Sequence, residues 1–226
     1  MYNKKLLHFT GRGRTDQDAY CILKIIINTS ELLMSHCPTF GHEKFERKFM
    51  MACLADPEKV DIVKHQQLFG KFAVAFNRDS MMKYGANPVL YITSENLVHI
   101  ESQIKLLEKL EDLNRDRGWR EDFEPYQFTE DEFLSFYFTT GLSQEMQYKG
   151  EKDNYFQSEW RILYHPDRFL GDGKEYIPGM IRPSSLNGKH VGYLKFCNQD
   201  ISYILVPREF VDQAKKDFPH IKVETA

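Results

Sequence analysis

The sequence predicts an α+β protein with a mixed or antiparallel β-sheet at its core and helices flanking the sheet. Short apolar runs of strand length recur along the chain, and longer segments with apolar residues at helical spacing lie between them. The chain has 226 residues, of which 42% are hydrophobic, so it can bury one sizeable core. We therefore expect a single domain over residues 1–226.

The N-terminal part alternates between strands and helices. Residues 6–10 alternate around an apolar centre and are followed by the glycine-rich segment 11–14 (GRGR), which predicts a short strand ending in a turn. Asp56 followed by Pro57 has the pattern of an N-cap and a first helical residue. We predict strands at 6–10, 49–54, 70–76 and 89–93, helices at 17–35 and 57–68, a loop at 36–48 and a turn at 85–88.

The middle of the chain is predicted to be helical. Leu97 and Ile100 begin a series of apolar residues that recur every three or four positions, and Thr129 with Glu132 has the spacing of a capping box. We therefore expect a helical insertion around residues 95–145. Beyond the insertion we predict strands at 159–164, 191–196 and 201–206, an amphipathic helix after Pro207 and an edge strand at 221–223.

Composition excludes several classes of protein. With 33 acidic and 30 basic residues the net charge is −3, which gives no support for a general nucleic-acid-binding protein. No apolar run is long enough to span a membrane, and the N-terminus lacks the apolar segment of a signal peptide. We expect a soluble cytoplasmic protein. Nothing in the sequence indicates its oligomeric state.

Cysteine usage agrees with the expectation of a cytoplasmic protein. The 4 cysteines are dispersed and form no CxxC pair, so neither a zinc ribbon nor a disulfide scaffold is indicated. His36, Cys37 and His42 cluster, but no nearby pair supplies a fourth ligand. We predict no metal site.

The end of the first predicted strand carries the first candidate binding residues. His8 and Thr10 share a face because strand side chains alternate, and Arg12 and Arg14 follow in the glycine turn. Glycine backbone amides and arginine guanidinium groups suit phosphate oxygens, so this segment can hold a ribose and its diphosphate. The alternative is a hydrogen-bonded histidine beside a solvated basic turn.

A second candidate lies on the strand predicted at 159–164. Glu159 and Arg161 occupy alternate positions and therefore share one face, opposite Trp160. Burying an unpaired charge is costly, so the two residues either face a ligand cleft or form an ion pair on an outer face of the sheet. In a cleft, Glu159 can stabilise an oxocarbenium ion or polarise a ribose hydroxyl.

Two further residues are weaker candidates for ligand contacts. His65 lies where the second helix gives way to a strand, and it either contacts a ligand or bonds a backbone carbonyl. Tyr91 lies on the third predicted strand, where it either stacks on a base or nicotinamide ring or belongs to the core.

Several segments together resemble the AbiGi family of abortive phage infection proteins, which are described as antitoxins. The most specific segments are 84–91 (YGANPVLY) and 159–161 (EWR). The others are 8–12 (HFTGR), 50–57 (MMACLADP) and 65–76 (HQQLFGKFAVAF). Members of the family commonly have Phe-Thr at Leu54 and Ala55 and glycine at Ala73 and Ala75. The resemblance implies a role in phage defence beside a partner toxin.

A more distant resemblance concerns mechanism. A first strand with His-x-Thr, a central aromatic strand and a late strand glutamate are similar to the arrangement in ADP-ribosyltransferases of the DarT group. This resemblance implies an ADP-ribosyltransferase-like fold and NAD as the substrate. Position by position, it implies that His8 holds the NAD ribose, that Tyr91 stacks on nicotinamide and that Glu159 is the catalytic carboxylate.

Two functions therefore stand as hypotheses. The first is an enzyme of phage defence that transfers or hydrolyses ADP-ribose, in which His8, Thr10 and Glu159 converge on one cleft with Arg12 or Arg14 at its mouth. The alternative is a non-catalytic antitoxin that binds a partner toxin or phage protein through an exposed apolar patch. The patch is expected on the 97–113 helix or around 133–137.

Overall fold

The computed structural model describes residues 4–38, 48–93, 137–140, 158–164 and 175–225. Helices and strands both contribute to it, and the predicted α+β class is confirmed. Its residues group into two compact units. The first comprises Met1–Cys37, Phe49–Pro88 and Phe156–Ala226, and the second comprises Pro38–Lys48 and Val89–Tyr155. The single domain over 1–226 stays a prediction.

The described strands are numbered in chain order. They are β1 Lys5–Thr10, β2 Glu31–Pro38, β3 Lys48–Ala55, β4 Phe72–Asn77, β5 Ala86–Pro88, β6 Leu90–Thr93, β7 Tyr137–Thr140, β8 Glu159–Leu163, β9 Ile181–Leu186, β10 Lys189–Lys195, β11 Ile201–Val206 and β12 Val223–Thr225. The described helices are α1 Asp16–Thr29, α2 Ile62–Phe69, α3 Arg78–Lys83 and α4 Val211–Asp217.

One large sheet forms the first unit, and β1 lies near its middle. The strand order is β12-β11-β4-β1-β3-β2-β10-β9, with β8 paired to β3 and β5 paired to β8. The neighbours of β1 and those of β8 are antiparallel, whereas β12 runs parallel to β11. The mixed sheet predicted from the sequence is therefore confirmed. In the second unit β6 and β7 pair in parallel.

Strict alternation along β1 and β4 gives the sheet two buried faces. Leu6 and Val74 pack into the main core together with the buried side of α1, and we call this side the α1 face. Leu7 and Ala75 point the other way and pack beside Ile62 of α2, and we call this side the α2 face. Because both faces are covered by helices, β1 and β4 read as nearly continuous apolar runs.

Helix α1 ends earlier than its sequence pattern predicts. Thr15 is the N-cap and accepts the N–H of Asp18, and Ser30 ends the helix in the left-handed conformation with φ 53°. The chain then enters β2 directly, so the predicted helix over 17–35 is wrong beyond Thr29. The β-branched and leucine residues of 25–34 fit either structure, and the left-handed Ser30 separates them.

Helix α2 begins later than predicted. Asp61, not Asp56, is its N-cap and accepts the N–H groups of Val63 and Lys64. The Asp56 side chain instead accepts the N–H of Glu58 in a turn that precedes the helix. Two nearby aspartates thus have different roles, because Asp56 stabilises a turn and Asp61 caps the helix. The sequence pattern alone favours Asp56 as the cap, and that prediction is wrong.

Other differences lie in short elements. Residues 86–88, predicted as a turn, form β5, while α3 and β9 were not predicted at all. Tyr137–Thr140 forms a strand where a helix was predicted, which fits its aromatic and β-branched residues. The rest of the helical insertion expected around 95–145, which is residues 95–136 and 141–145, lies outside the described residues. The C-terminal helix and the edge strand after it are confirmed as α4 and β12.

Candidate functional site

His8 is held at the centre of β1 by a bond to the neighbouring strand. Its Nδ1–H donates to the carbonyl of Cys53 on β3 over 2.9 Å. Because a carbonyl only accepts, this bond places the imidazole proton on Nδ1. Burial lowers the pKa of His8 below its ordinary value of 6.5, and the bond to Cys53 opposes that effect. The ring is therefore neutral at pH 7.

The glycine turn after β1 is shaped by close packing. A Cβ on Gly11 would lie 2.2 Å from the Cβ of Ala19, and Gly11 has a φ of +87°. A Cβ on Gly70, at the end of α2, would lie 2.1 Å from the carbonyl oxygen of Thr10. Gly11 therefore lets the turn approach α1, and Gly70 lets the end of α2 approach β1, more closely than any side chain permits.

The electrostatics of this turn differ from those of a phosphate site. Arg12 and Arg14 are exposed, as a phosphate-binding role requires. However, Asp16 and Asp18 occupy the first turn of α1, where carboxylates stabilise the helix and repel an anion. Lys71 forms an ion pair with Asp16 over 2.7 Å. The helix N-terminus is thus already compensated by acidic side chains.

Glu159 and Arg161 form a buried ion pair on β8. The guanidinium Nε and Nη2 donate to the two carboxylate oxygens, each over 3.0 Å. The side chains are 1% exposed for Arg161 and 11% exposed for Glu159. The expected shared face is confirmed, and the low exposure shows that the pair does not lie on a solvent-facing surface, whereas its place in a ligand cleft stays a prediction. Such a bidentate pair is strongly directional and costly to disrupt once buried.

The strand registers place His8 and Glu159 on opposite faces of the sheet. Leu7 is opposite Ala55, and Ala55 is opposite Glu159, so these three side chains point to the α2 face. His8 is opposite Val74 and points to the α1 face, as does Thr10 two residues later. The expectation that His8, Thr10 and Glu159 converge on one cleft is therefore wrong, because the registers separate them by the thickness of the sheet.

His65 lies on the same face as Glu159 and Arg161. It is 2% exposed on α2 and its ring packs against those of Phe9 and Phe69, with centroids 5.5 and 5.3 Å away. Its surroundings are aromatic, as expected of a core histidine. Tyr91 lies on β6 in the second unit, opposite Phe138 of β7. Its stacking on nicotinamide stays a prediction.

One group of residues was not singled out from the sequence. Arg78, the first residue of α3, places its guanidinium carbon 5.8 Å from the centre of the Trp160 ring. Its Nε is buried and makes no hydrogen bond. Arg78 and Trp160 are 82 positions apart, so no local pattern connects them. The sequence feature that came nearest to indicating this contact was Trp160, whose side chain lies on the opposite face of the strand from Glu159 and Arg161.

Two general features complete the description of the chain. Within the described ranges, no three histidine, cysteine, aspartate or glutamate side chains are grouped as a metal would need, and His42 falls outside those ranges. No helix among the described residues is both long and apolar enough to cross a membrane.

Comparison with known proteins places the chain in a class with a role in phage defence. A family model described as abortive phage resistance protein AbiGi, antitoxin, matches residues 36–207, which is most of the chain. The protein belongs to the AbiGi family. No curated protein and no solved structure matches it. The ADP-ribosyltransferase-like arrangement therefore gains no support from a known structure.

Proposed function

We propose that this protein is the antitoxin of an abortive phage resistance system and that it neutralises a partner toxin by binding it. The observation that carries the proposal is the family match over residues 36–207. This range contains all of β3, β4, β8 and β11, so the match includes the strands on either side of β1 rather than a peripheral segment.

The geometry of the two predicted catalytic residues also favours binding over catalysis. A carboxylate that drives ribosyl transfer must face the sugar on the same side as the residues that hold the ribose. Both oxygens of Glu159 accept bonds from Arg161, and His8 points to the other face of the sheet. Phage defence by protein binding does not require these residues to meet.

The test is neutralisation of the toxin in cells. The protein encoded by the gene adjacent to this one is expressed alone and together with the present chain. We expect growth arrest in the first case and normal growth in the second, with the two proteins copurifying as a complex. Growth arrest that this chain does not relieve, for the products of both flanking genes, would contradict the proposal.

The NAD hypothesis stays a prediction that a separate assay addresses. Purified protein is incubated with NAD, and release of nicotinamide is followed by proton NMR. We expect neutralisation without nicotinamide release. Release that persists in wild type and disappears in the Glu159→Gln variant would instead support glycosidic chemistry, provided that the variant unfolds at a denaturant concentration similar to that of wild type.

A further inference from the structure

Arg78 is a partly buried cation that pairs with no carboxylate of the described residues. Its backbone N–H donates to the carbonyl of Lys4 over 3.0 Å, and its guanidinium stacks on Trp160. Nε is buried without a hydrogen bond, whereas arginine in a protein interior normally pairs with a carboxylate. No acceptor for that donor lies within the described part of the chain, and because Arg78 as a whole is only partly buried, the rest of its guanidinium is available to an acceptor supplied from outside.

Lys4 and Lys5 lie at the end of β1 that adjoins Arg78, and neither forms an ion pair within the part of the chain that the structure describes. The bond from Arg78 to Lys4 continues the β1–β4 ladder, in which Lys5 is opposite Asn77. Among the ion pairs of the described residues, none involves Lys4, Lys5 or Arg78. Three cations thus lie at one end of β1, and none of them pairs with a carboxylate of the described residues, but alternation along β1 turns the Lys5 side chain to the α2 face and leaves Lys4 on the same face as the Arg78–Trp160 contact. Clustered like charges repel one another, so an approaching anion is attracted there.

An exposed apolar residue lies next to these cations. Met82 is 51% exposed and follows Arg78 by one helical turn, so the two residues share a side of α3. Buried Met81 anchors the same helix to the core. Tryptophan and arginine are the residue types most enriched at the energetic centres of protein interfaces, and methionine adapts to varied partners. We call Lys4, Arg78, Met82 and Trp160 the Arg78 corner.

We propose that the Arg78 corner is the docking point for an acidic segment of the partner toxin. A carboxylate of that segment accepts hydrogen bonds from the Arg78 guanidinium, while an adjacent apolar side chain of the toxin packs on Met82 and the rim of Trp160. The charge of Lys4 and Arg78 selects the carboxylate. Met82 favours a peptide over a free phosphate or nucleotide, since an inorganic anion gains nothing from an apolar neighbour.

This inference rests on the proposed function, and its experiment uses the same growth assay. Arg78→Glu and Lys4→Glu reverse charge within the corner, and Arg78→Gln removes the charge with less risk to folding. Lys215→Glu is the matched control, because Lys215 is an exposed, unpaired lysine on α4, beyond the opposite end of β4. Each variant is first checked for a thermal transition like that of wild type.

The expected result is that wild type and Lys215→Glu relieve growth arrest, whereas the three corner variants lose that relief. Equal relief by all variants would overturn the docking site while leaving the antitoxin role intact. If wild type itself gives no relief, the proposed function fails and the docking site fails with it. Binding of inorganic phosphate that depends on Arg78, with relief unchanged in the variants, would assign the corner to a small anion instead.

Suppressor selection identifies the contact on the partner. In cells carrying Arg78→Glu, growth selects toxin variants that are neutralised again, and each is then expressed alone to retain only those that are still toxic. We expect these suppressors to replace an aspartate or glutamate of the toxin with lysine or arginine. Suppressors confined to uncharged positions would contradict a carboxylate contact with Arg78.

Discussion

Two arginines contact strand β8, and they differ in whether a carboxylate pairs with them. Arg161 lies on the α2 face of β8, is 1% exposed and is bound at two atoms by Glu159. Arg78 reaches Trp160 on the other face of β8 and has no carboxylate partner among the described residues. Residues 159–161 of β8 therefore carry a buried ion pair on one face of the sheet and, on the other face, the tryptophan ring that contacts Arg78. We call Glu159 with Arg161 the closed pair and Arg78 the open cation.

The difference separates structural charge from charge available to a partner. A buried arginine whose donors are bonded to a carboxylate is part of the folded core, and its loss leaves an uncompensated charge behind. An arginine that lies on an aromatic ring without a carboxylate partner among the described residues is not held in this way, and arginine is a residue type enriched at the energetic centres of protein interfaces. In the docking proposal, residues 159–161 therefore support both kinds of charge, although the sequence suggested that the charged residues of this segment were the functional ones.

Disrupting the closed pair is expected to have the largest effect on stability. Arg161→Leu leaves Glu159 buried without its partner, which typically costs about 3–5 kcal/mol. We expect the free energy of unfolding in urea to fall by that amount. The control is the double variant Glu159→Leu with Arg161→Leu, which removes both charges and should recover much of the loss. A single variant as stable as wild type would show that the ion pair does not hold the fold together.

His8 should show a smaller effect that depends on pH. Its pKa is lowered in the folded protein by burial, so the unfolded chain takes up a proton first as pH falls below 6.5. The free energy of unfolding therefore keeps its full value at pH 7.5 and decreases as the pH falls below about 6.5, by at most ~1.4 kcal/mol per pH unit for one proton. His8→Asn keeps a donor for Cys53 but cannot titrate. Urea unfolding at pH 7.5 and 5.5 should show a smaller pH dependence in this variant, and equal slopes would refute a buried neutral His8.

Removing the open cation should barely change stability. Arg78→Gln loses a cation–π contact worth about 0.5–1 kcal/mol and also removes a buried donor that has no acceptor. These two changes oppose each other, so we expect the free energy of unfolding to stay within about 1 kcal/mol of wild type. A loss as large as that of Arg161→Leu would show that Arg78 is a structural arginine and would break the comparison.

The smallest effect is expected at an ion pair with the same spacing but high exposure. Lys222 and Glu224 are two positions apart, as Glu159 and Arg161 are, and their atoms lie 2.6 Å apart. The Lys222 side chain is 69% exposed, and exposed pairs typically contribute about 0–1 kcal/mol. Lys222→Met should therefore leave the urea transition almost unchanged. A large loss would mean that spacing, not burial, decides the value of such pairs.

Much of the sheet could be predicted because its central strands are apolar on both sides. The segments that became β1, β3, β4 and β11 are short apolar runs bounded by polar or turn residues, and each was predicted close to its observed position. β10 was also predicted, at 191–196, but β9 and the turn between the two strands were missed, although Asn187 and Gly188 are a typical two-residue hairpin turn with φ of 51° and 74°. Pro183 and the serines of β9 weakened the strand pattern, since an edge strand needs few apolar residues.

The arrangement of the candidate site could be predicted from the sequence only for residues that lie on one strand. Alternation alone placed Glu159 and Arg161 together and Trp160 opposite them, and this was confirmed. Whether His8 shares their face depends on the pairing of β1 with β3 and of β3 with β8, which no local pattern encodes. The contact between Arg78 and Trp160 likewise joins distant parts of the chain, so only the folded structure brings it out.

The most direct test of the docking proposal is the affinity of the purified complex between this protein and the toxin that we propose it neutralises. Titration calorimetry would compare wild type, Arg78→Glu and the Lys215→Glu control at low and high salt. We expect Arg78→Glu to weaken binding by at least about 30-fold at low salt, as loss of a central interface arginine does, and Lys215→Glu to leave binding unchanged. We also expect wild-type binding to weaken as salt is added. Equal affinity of all three proteins at both salt concentrations would contradict the assignment of the open arginine to partner recognition.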